Sequence, residues 1–450
     1  MIAVDDLNDW VGCMDGHPNT STPNIDRLAA RGTLFTNAHC QAPICGPSRA
    51  SIMSGLYPTT TGIYGQINDD KLRTASDPMR DVPFLFEYFR DNGYKTVGVG
   101  KLFHQHAPEG VLEESGGRAP GFGPSPEKHF KWDRPKTSTD WGPFPERDDQ
   151  MPDFRSAAWA GERLAQKQDR PFFLAVGLLR PHVPWYVPPK WFGMHPAETL
   201  QTPPYLPSDF DDIPALAQKL AAVPMMPTAD WALRNGEWRN IVQGYLASVS
   251  FADHYVGQVL AALDASPHAD NTIVVLWGDH GYHVGEKNRF AKHSLWEEAT
   301  HTPLIISAPG YGRGRRTARA AQLIDLYPTL VELCGLPRNA RNEGRSLLPL
   351  LEDPQADWPH AALTTYGYGN HSVRDERYRY IVYEDGSQEL YDHVNDPNEW
   401  RNLAADPSQA ANIRRLRAFL PKAEAPWSPA APYDYNEYLN DAFERHKRRP

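Results

Sequence analysis

Residues able to do chemistry gather at a few points of the chain. Cys45-Gly46-Pro47-Ser48-Arg49 places a thiol four residues ahead of a guanidinium. In a helix that spacing is about one turn, so Arg49 faces back toward the cysteine. The plain alternative is a buried cysteine ahead of a helix N-terminus, with Ser48 as its cap. A second group is Asp5-Asp6 with Asp279-His280. Adjacent carboxylates repel one another unless a cation neutralises them, and an oxygen-rich donor set suits calcium or magnesium. His280 brings a nitrogen to that set, which is less usual for calcium. The alternative here is that Asp5-Asp6 cap a following helix. Basic residues are a third source of chemistry, with Lys101 after an apolar run and 17 histidines along the chain, though a single His or Lys is more often ordinary surface or core. Imidazoles titrate near working pH and so suit proton transfer.

These groups meet only if the elements carrying them converge. Met1 to Val4, Lys95 to Val99, Pro171 to Leu178, Asn271 to Trp277 and Thr302 to Ala308 read as strands. The run PFFLAVGL is continuously apolar, as expected of a strand buried on both faces. Between them, Val82 to Asn92, Gly244 to Ala265 and Leu323 to Leu333 read as helices, the last stopped by Gly335. Strands alternating with helices predict a doubly wound, mostly parallel sheet, whose ligands sit beyond the carboxyl ends of its strands. Asp5-Asp6, Gly100-Lys101 and Asp279-His280 each follow a strand, so one shared site is expected. After about Pro359 the pattern changes. Tyr378 to Glu384, the turn Asp385-Gly386 and Glu389 to Tyr391 predict an antiparallel hairpin, with a helix over Ile413 to Leu420. The division expected is a catalytic domain over 1–359 and a smaller α+β subdomain over 360–450.

The bulk properties narrow the class. The chain has 450 residues, 40% of them hydrophobic, enough for a sizeable core. Its net charge of −10 argues against a dedicated nucleic-acid binder, and it requires a locally basic pocket for any anionic substrate. The 42 prolines cluster in stretches such as Pro181 to Pro189 and Pro203 to Pro207, which read as long ordered loops. Cys13, Cys40, Cys45 and Cys334 show no metal-ligand spacing; one disulfide remains open. No apolar run of about 18 residues predicts a membrane span, and no signal peptide is visible. Met1 to Val4 resembles the last half of a strand, from which a start upstream of this Met is expected.

The segment Cys45-Gly46-Pro47-Ser48-Arg49, with Gly55-Leu56-Tyr57-Pro58 and Gly62 after it and Thr22-Pro23-Asn24-Ile25-Asp26-Arg27-Leu28 before it, resembles the C-x-P-S-R signature of the formylglycine-dependent sulfatases. Gly100-Lys101-Leu102-Phe103-His104, Pro181-His182-Val183-Pro184 and Ala291-Lys292-His293-Ser294 resemble further segments of that family. The likeness runs from Asp5 to the hairpin near Asp385. It implies an alkaline-phosphatase-like fold. It implies that Cys45 is oxidised to formylglycine by a formylglycine-generating enzyme and that its hydrate attacks sulfur to give a sulfate-enzyme. It also implies that Asp5, Asp6, Asp279 and His280 bind calcium together with position 45. By the same resemblance Lys101 and Lys292 hold sulfate oxygens, His104 serves the nucleophile and the expulsion step, and His182 faces the leaving group. Within the family the nearest likeness is to iduronate-2-sulfatases and their bacterial relatives, carried by Val99 to His104, Arg180 to Pro184 and Ala299 to Leu304. That implies a sulfated saccharide substrate, with a 2-O-sulfated uronic acid the leading expectation. Members of the family are often periplasmic, secreted or lysosomal. The loops 110–149 and 185–238 show no recognisable family segment, and loops of that kind set substrate choice. Two competing readings are a phosphate or phosphonate ester hydrolase on the same fold and a carbohydrate-binding pseudoenzyme with unmodified Cys45.

Overall fold

A computed structural model describes residues 1–128, 130 and 137–447. Eight strands build the central sheet: β1 Ile2–Val4, β2 Thr33–Phe35, β3 Lys95–Gly100, β4 Glu114–Ser115, β5 Phe172–Leu178, β6 Val274–Gly278, β7 Leu304–Ser307 and β8 Arg315–Thr317. Their order across the sheet is β8-β2-β7-β6-β1-β5-β3-β4. All pairings are parallel except those of β7, which runs against both β6 and β2. The sheet is therefore mixed and mostly parallel, as the alternating pattern predicts.

Side chains alternate across a strand, so one apolar run feeds two cores. Val4, Leu174, Val176 and Leu276 pack on one face against the helices Pro152–Leu164 and Trp238–Asp264. Ala3, Phe173, Ala175, Val275 and Trp277 pack on the other, against Cys45–Ser54, Leu85–Asp91 and Leu326–Leu333. Several boundaries differ from the sequence expectation. The long helix starts at Trp238 rather than Gly244. The helix expected from Val82 begins only at Leu85, after Pro83, because the residue ahead of a proline avoids helical backbone. The four cysteines are all free thiols, so the open disulfide is not formed.

A second sheet, entirely antiparallel, runs β9 Ala362–Thr365, β10 His371–Arg374, β11 Tyr378–Val382 and β12 Gln388–Asp392. The expected hairpin is β11–β12, and Gly386 supplies the left-handed residue of its loop at φ 84°. The helix Ala410–Arg417, three residues ahead of where the pattern placed it, buries Leu416 with Val373, Tyr380 and Leu390. The final helix Glu437–Lys447 crosses back onto the larger part, where Leu439 and Phe443 join Leu216 and Leu220 in one apolar cluster.

Candidate active site

The site lies along the carboxyl ends of adjacent parallel strands. Val4 of β1 stands in register with Gly278 of β6 and Leu178 of β5, and Gly100 of β3 with Gly177 of β5. The residues that follow, Asp5-Asp6, Asp279-His280 and Lys101, therefore leave the sheet in one row. Two glycines let the chain turn there. Gly100 has φ 79°, and a Cβ on it would stand 1.9 Å from the Gly177 carbonyl oxygen. A Cβ on Gly177 would stand 2.2 Å from the carbonyl oxygen of Lys101. A side chain at either position would collide with backbone, at Gly177 with that of Lys101 itself.

Cys45 is the first residue of its helix, with the extended Ile44 as N-cap, so the helix dipole points at its thiol. Ser48 does not cap this helix; its hydroxyl donates to the Asp279 carbonyl at 2.6 Å and ties the helix to the end of β6. Cys45 Sγ lies 3.0 Å from Lys292 Nζ, 3.2 Å from His280 Nε2 and 3.8 Å from Asp6 Oδ1. Arg49 does point back toward the site, but it grips carboxylates rather than the thiol. Its Nε donates to Asp279 Oδ2 at 2.9 Å, its Nη2 to Asp5 Oδ1 at 3.1 Å and its Nη1 to the Lys101 carbonyl at 2.5 Å. Lys101 Nζ reaches Asp5 Oδ2 at 2.5 Å and Lys292 Nζ reaches Asp6 Oδ1 at 2.7 Å. Asp6 adopts φ 61°, its amide donating to Asp279 Oδ1 at 3.1 Å.

The electrostatics follow from burial. Burial opposes ionisation of Asp5, yet Lys101, His182, Arg49 and Lys292 together hold it well below the usual carboxylate range. Asp6 is pushed up, by burial first and then by Asp5 and Asp279, against the pull of Lys292 and His280. Burial raises the Cys45 thiol to about 12, so the unmodified cysteine is protonated and a poor nucleophile at neutral pH.

His182 is placed by its neighbours. Asp153, at the start of the helix Pro152–Leu164, accepts from the amides of Leu179 and Arg180 at 2.8 and 3.0 Å and anchors the loop. His182 Nδ1 bonds the Val183 carbonyl at 2.6 Å, which leaves Nε2 facing Asp6 Oδ2 at 3.8 Å. His104 stands further out. Its Nδ1 bonds the Ile67 carbonyl at 3.4 Å, and no hydrogen bond joins it to Cys45 among the described residues. Burial, then the charge of Lys101, pushes it down to about 3.

A divalent cation fits this donor set. Asp6 Oδ2 is buried and has no hydrogen-bond partner. His280 Nδ1 bonds the Gly281 carbonyl at 2.9 Å, which directs the Nε2 lone pair to the thiol and Asp6. Ligand atoms of Asp5, Asp6, Cys45 and His182, and of Cys45, Asp279 and His280, gather within 4.8 Å of one another. The three carboxylates are already balanced by Arg49, Lys101 and Lys292, so an added dication leaves a net positive pocket for an anion.

A family model described as Sulfatase matches residues 1–336. The chain belongs to the sulfatase family. A second model, N-sulphoglucosamine sulphohydrolase, C-terminal, matches residues 285–426. The chain is 49% identical to a Sulfatase of Formosa agariphila, across 97% of this chain and 89% of that one. It is 32% identical to the Iduronate 2-sulfatase of Homo sapiens, across 75% of this chain and 68% of that one. Among solved structures, a 2-O GAG sulfatase aligns at TM-score 0.71 and 26% identity, across 99% of this chain and 92% of that one. The enzyme is therefore a sulfuric ester hydrolase with the alkaline-phosphatase-like sulfatase fold.

Three residues at the mouth of the sulfatase site carry no motif. Phe122 stacks on His182 with ring centroids 4.1 Å apart and planes 8° apart. Arg118 stands beside Phe122, its Cζ 5.5 Å from the ring centroid. Tyr435 comes from the far end of the chain to pack on His293, the neighbour of Lys292. A single arginine, phenylalanine or tyrosine in a loop gives no periodic or spacing signal, and only the tertiary fold selects these three.

Proposed function

We propose that this sulfatase hydrolyses the sulfate ester of a sulfated sugar of a polysaccharide, with a 2-O-sulfated uronic acid the leading substrate. It would use Cys45 after oxidation to formylglycine by a formylglycine-generating enzyme. The observation that carries the reading is the convergence on Cys45 of Lys292 at 3.0 Å and His280 at 3.2 Å, with Asp5, Asp6 and Asp279 behind them. The choice of sugar is supported by the likeness to an Iduronate 2-sulfatase and to a 2-O GAG sulfatase.

Asp5, Asp6, Asp279 and His280, with the oxidised side chain at position 45, would hold calcium, or magnesium in its place, which supplies positive charge to the nucleophile and to sulfate. The formylglycine hydrate supplies one hydroxyl to attack sulfur and a second through which sulfate leaves, a route that a thiol lacks. In our reading Arg49 positions Asp5 and Asp279, since its two ion pairs are fully buried. Lys101 and Lys292 hold sulfate oxygens, their ammonium groups turning from Asp5 and Asp6 to the incoming anion. His104 serves the nucleophile and the expulsion step by resemblance to the family, its imidazole neutral at rest. His182, with Nδ1 fixed on the Val183 carbonyl, presents Nε2 to the leaving-group oxygen.

The test is a panel of sulfated mono- and disaccharides with sulfate release as readout. Turnover of 2-O-sulfated uronates ahead of 6-O-sulfated sugars is the expected result. Activity confined to small aryl or alkyl sulfates would overturn the sugar assignment. Metal analysis of active enzyme checks the ion, and a metal-free enzyme of full activity would sink that part.

A further inference from the structure

Arg118 lies on a loop outside the motif segments of the sequence. Arg118 Nη1 donates to the carbonyls of His104 at 3.2 Å and Gln105 at 2.8 Å, which fixes its guanidinium beside His104. Phe122 neighbours both Arg118 and Lys101. Lys101 Nζ is also 5.5 Å from the Phe122 ring centroid, so the two cations stand no further apart than twice that distance. The ring itself is held in place: Arg180 Nη2 donates to the Phe122 carbonyl at 2.7 Å, and His182 covers one face.

Arg118 differs from Arg49 and Arg180 in what it lacks, and from Arg289, whose Nε is likewise unpartnered, in being half-buried rather than buried. Arg49 is matched by two carboxylates. Arg180 is fully buried, and its guanidinium nitrogens bond the carbonyls of Tyr186, His182 and Phe122. Arg118 is half-buried, pairs with no carboxylate among the described residues, and has a buried Nε with no hydrogen-bond partner. A guanidinium that is partly desolvated yet unpaired costs free energy unless an anion completes it. Its planar fork matches a carboxylate in two parallel hydrogen bonds.

We propose that Arg118 is a specificity-determining residue that binds the carboxylate of the substrate sugar, while Lys101 and Lys292 hold its sulfate; this rests on the uronate reading above. The carboxylate supplies the counter-charge that Arg118 lacks among the described residues.

The experiment compares kcat/KM on a 2-O-sulfated uronate and on its carboxyl-reduced counterpart, in which a hydroxymethyl group replaces the carboxylate. Wild-type enzyme should prefer the uronate. Arg118→Gln should lower that preference by roughly ten- to hundredfold, mainly through KM, the scale of a charge-assisted pair. Arg118→Lys, which keeps the charge without the fork, should recover part of it. Because the ratio is the readout, a general loss from a disturbed His104 loop lowers both values and leaves it unchanged; an unchanged ratio overturns the proposal. If wild-type enzyme prefers the uronate and Arg118→Gln keeps that preference, the Arg118 assignment fails while the substrate reading stands. If wild-type enzyme does not distinguish the two sugars, or turns over neither, both fail.

Discussion

At the scale of single residues, the site depends on one thiol that its surroundings make inert. Burial pushes the Cys45 thiol up, and in the proposed reading reactivity comes from changing the group itself. Mass spectrometry of the Cys45 peptide from active enzyme should show formylglycine; undiminished sulfate release from a wholly unmodified peptide would overturn the mechanism. Cys45→Ala should abolish turnover, a loss of roughly 10^4-fold or more, as when a covalent nucleophile is removed. Cys45→Ser can attack sulfur but has no second hydroxyl, so it should at best trap one sulfate per enzyme. Arg49→Met acts differently. It leaves Asp5 and Asp279 buried and facing each other without their shared guanidinium. Calcium titration by calorimetry should show affinity weakened by roughly 10- to 100-fold, the usual effect of losing a residue that orients ligands.

At the scale of elements, the tight crossing of β3 and β5 places Lys101. Gly100 and Gly177 are direct neighbours across the two strands, and each occupies room that a methyl group would need. Gly177→Ala should therefore displace the Lys101 backbone rather than merely fill space. Overpacking of this kind costs about 1–3 kcal/mol. The expected outcome is a folded enzyme with lowered denaturation midpoint and a kcat reduced more than 10-fold by lost geometry. An active enzyme with wild-type kcat would show that Lys101 is held by its ion pair with Asp5 alone. Other element-level features were legible beforehand. The apolar run of β5 announces a strand buried on both faces, and the alternation of strands with helices announces the mixed sheet. Proline chemistry trimmed the edges, as at Leu85, where periodicity alone extends too far.

At the scale of the whole molecule, the antiparallel sheet is fastened to the larger part by buried charges. Arg379 of β11 pairs with Glu297 and, at 2.7 Å, with Glu399; Arg374 reaches Glu297 at 3.1 Å, and His393 reaches Glu399 at 3.0 Å. Glu297, His393 and Glu399 are close enough to suggest a metal site, but the arginines already saturate them. Burial alone would raise Glu297, yet Arg374, His393 and Arg379 hold it well below its usual 4.5. Glu399 is likewise lowered, against burial, by Arg379 and His393. A carboxylate depressed in the folded state stabilises the fold above its unfolded value and loses that contribution as pH falls through the folded one. Unfolding free energy should therefore drop with acidification below about pH 4.5, and Glu297→Gln should flatten the drop. Arg379→Met leaves two buried carboxylates short of a partner and should cost about 3–5 kcal/mol in chemical denaturation. A loss within 1 kcal/mol would mean the sheet is held by apolar packing alone.

The sequence by itself determined the local chemistry and the periodic elements. Cys45 four residues before Arg49, paired carboxylates after β1, Asp279-His280 after β6 and the hairpin turn at Asp385-Gly386 are short-range patterns, and short-range patterns survive being read one residue at a time. Their convergence also followed, because parallel strands put successive polar residues at one edge. Tertiary structure decided what depends on direction and distance. It turned Arg49 onto Asp5 and Asp279 instead of the thiol and set His104 back from Cys45. It also tied Ser48 to the Asp279 carbonyl, and it brought Arg118, Phe122 and Tyr435 beside the site from loops without pattern. A loop residue's neighbours are fixed by how distant segments pack, and no spacing along the chain encodes a separation across it.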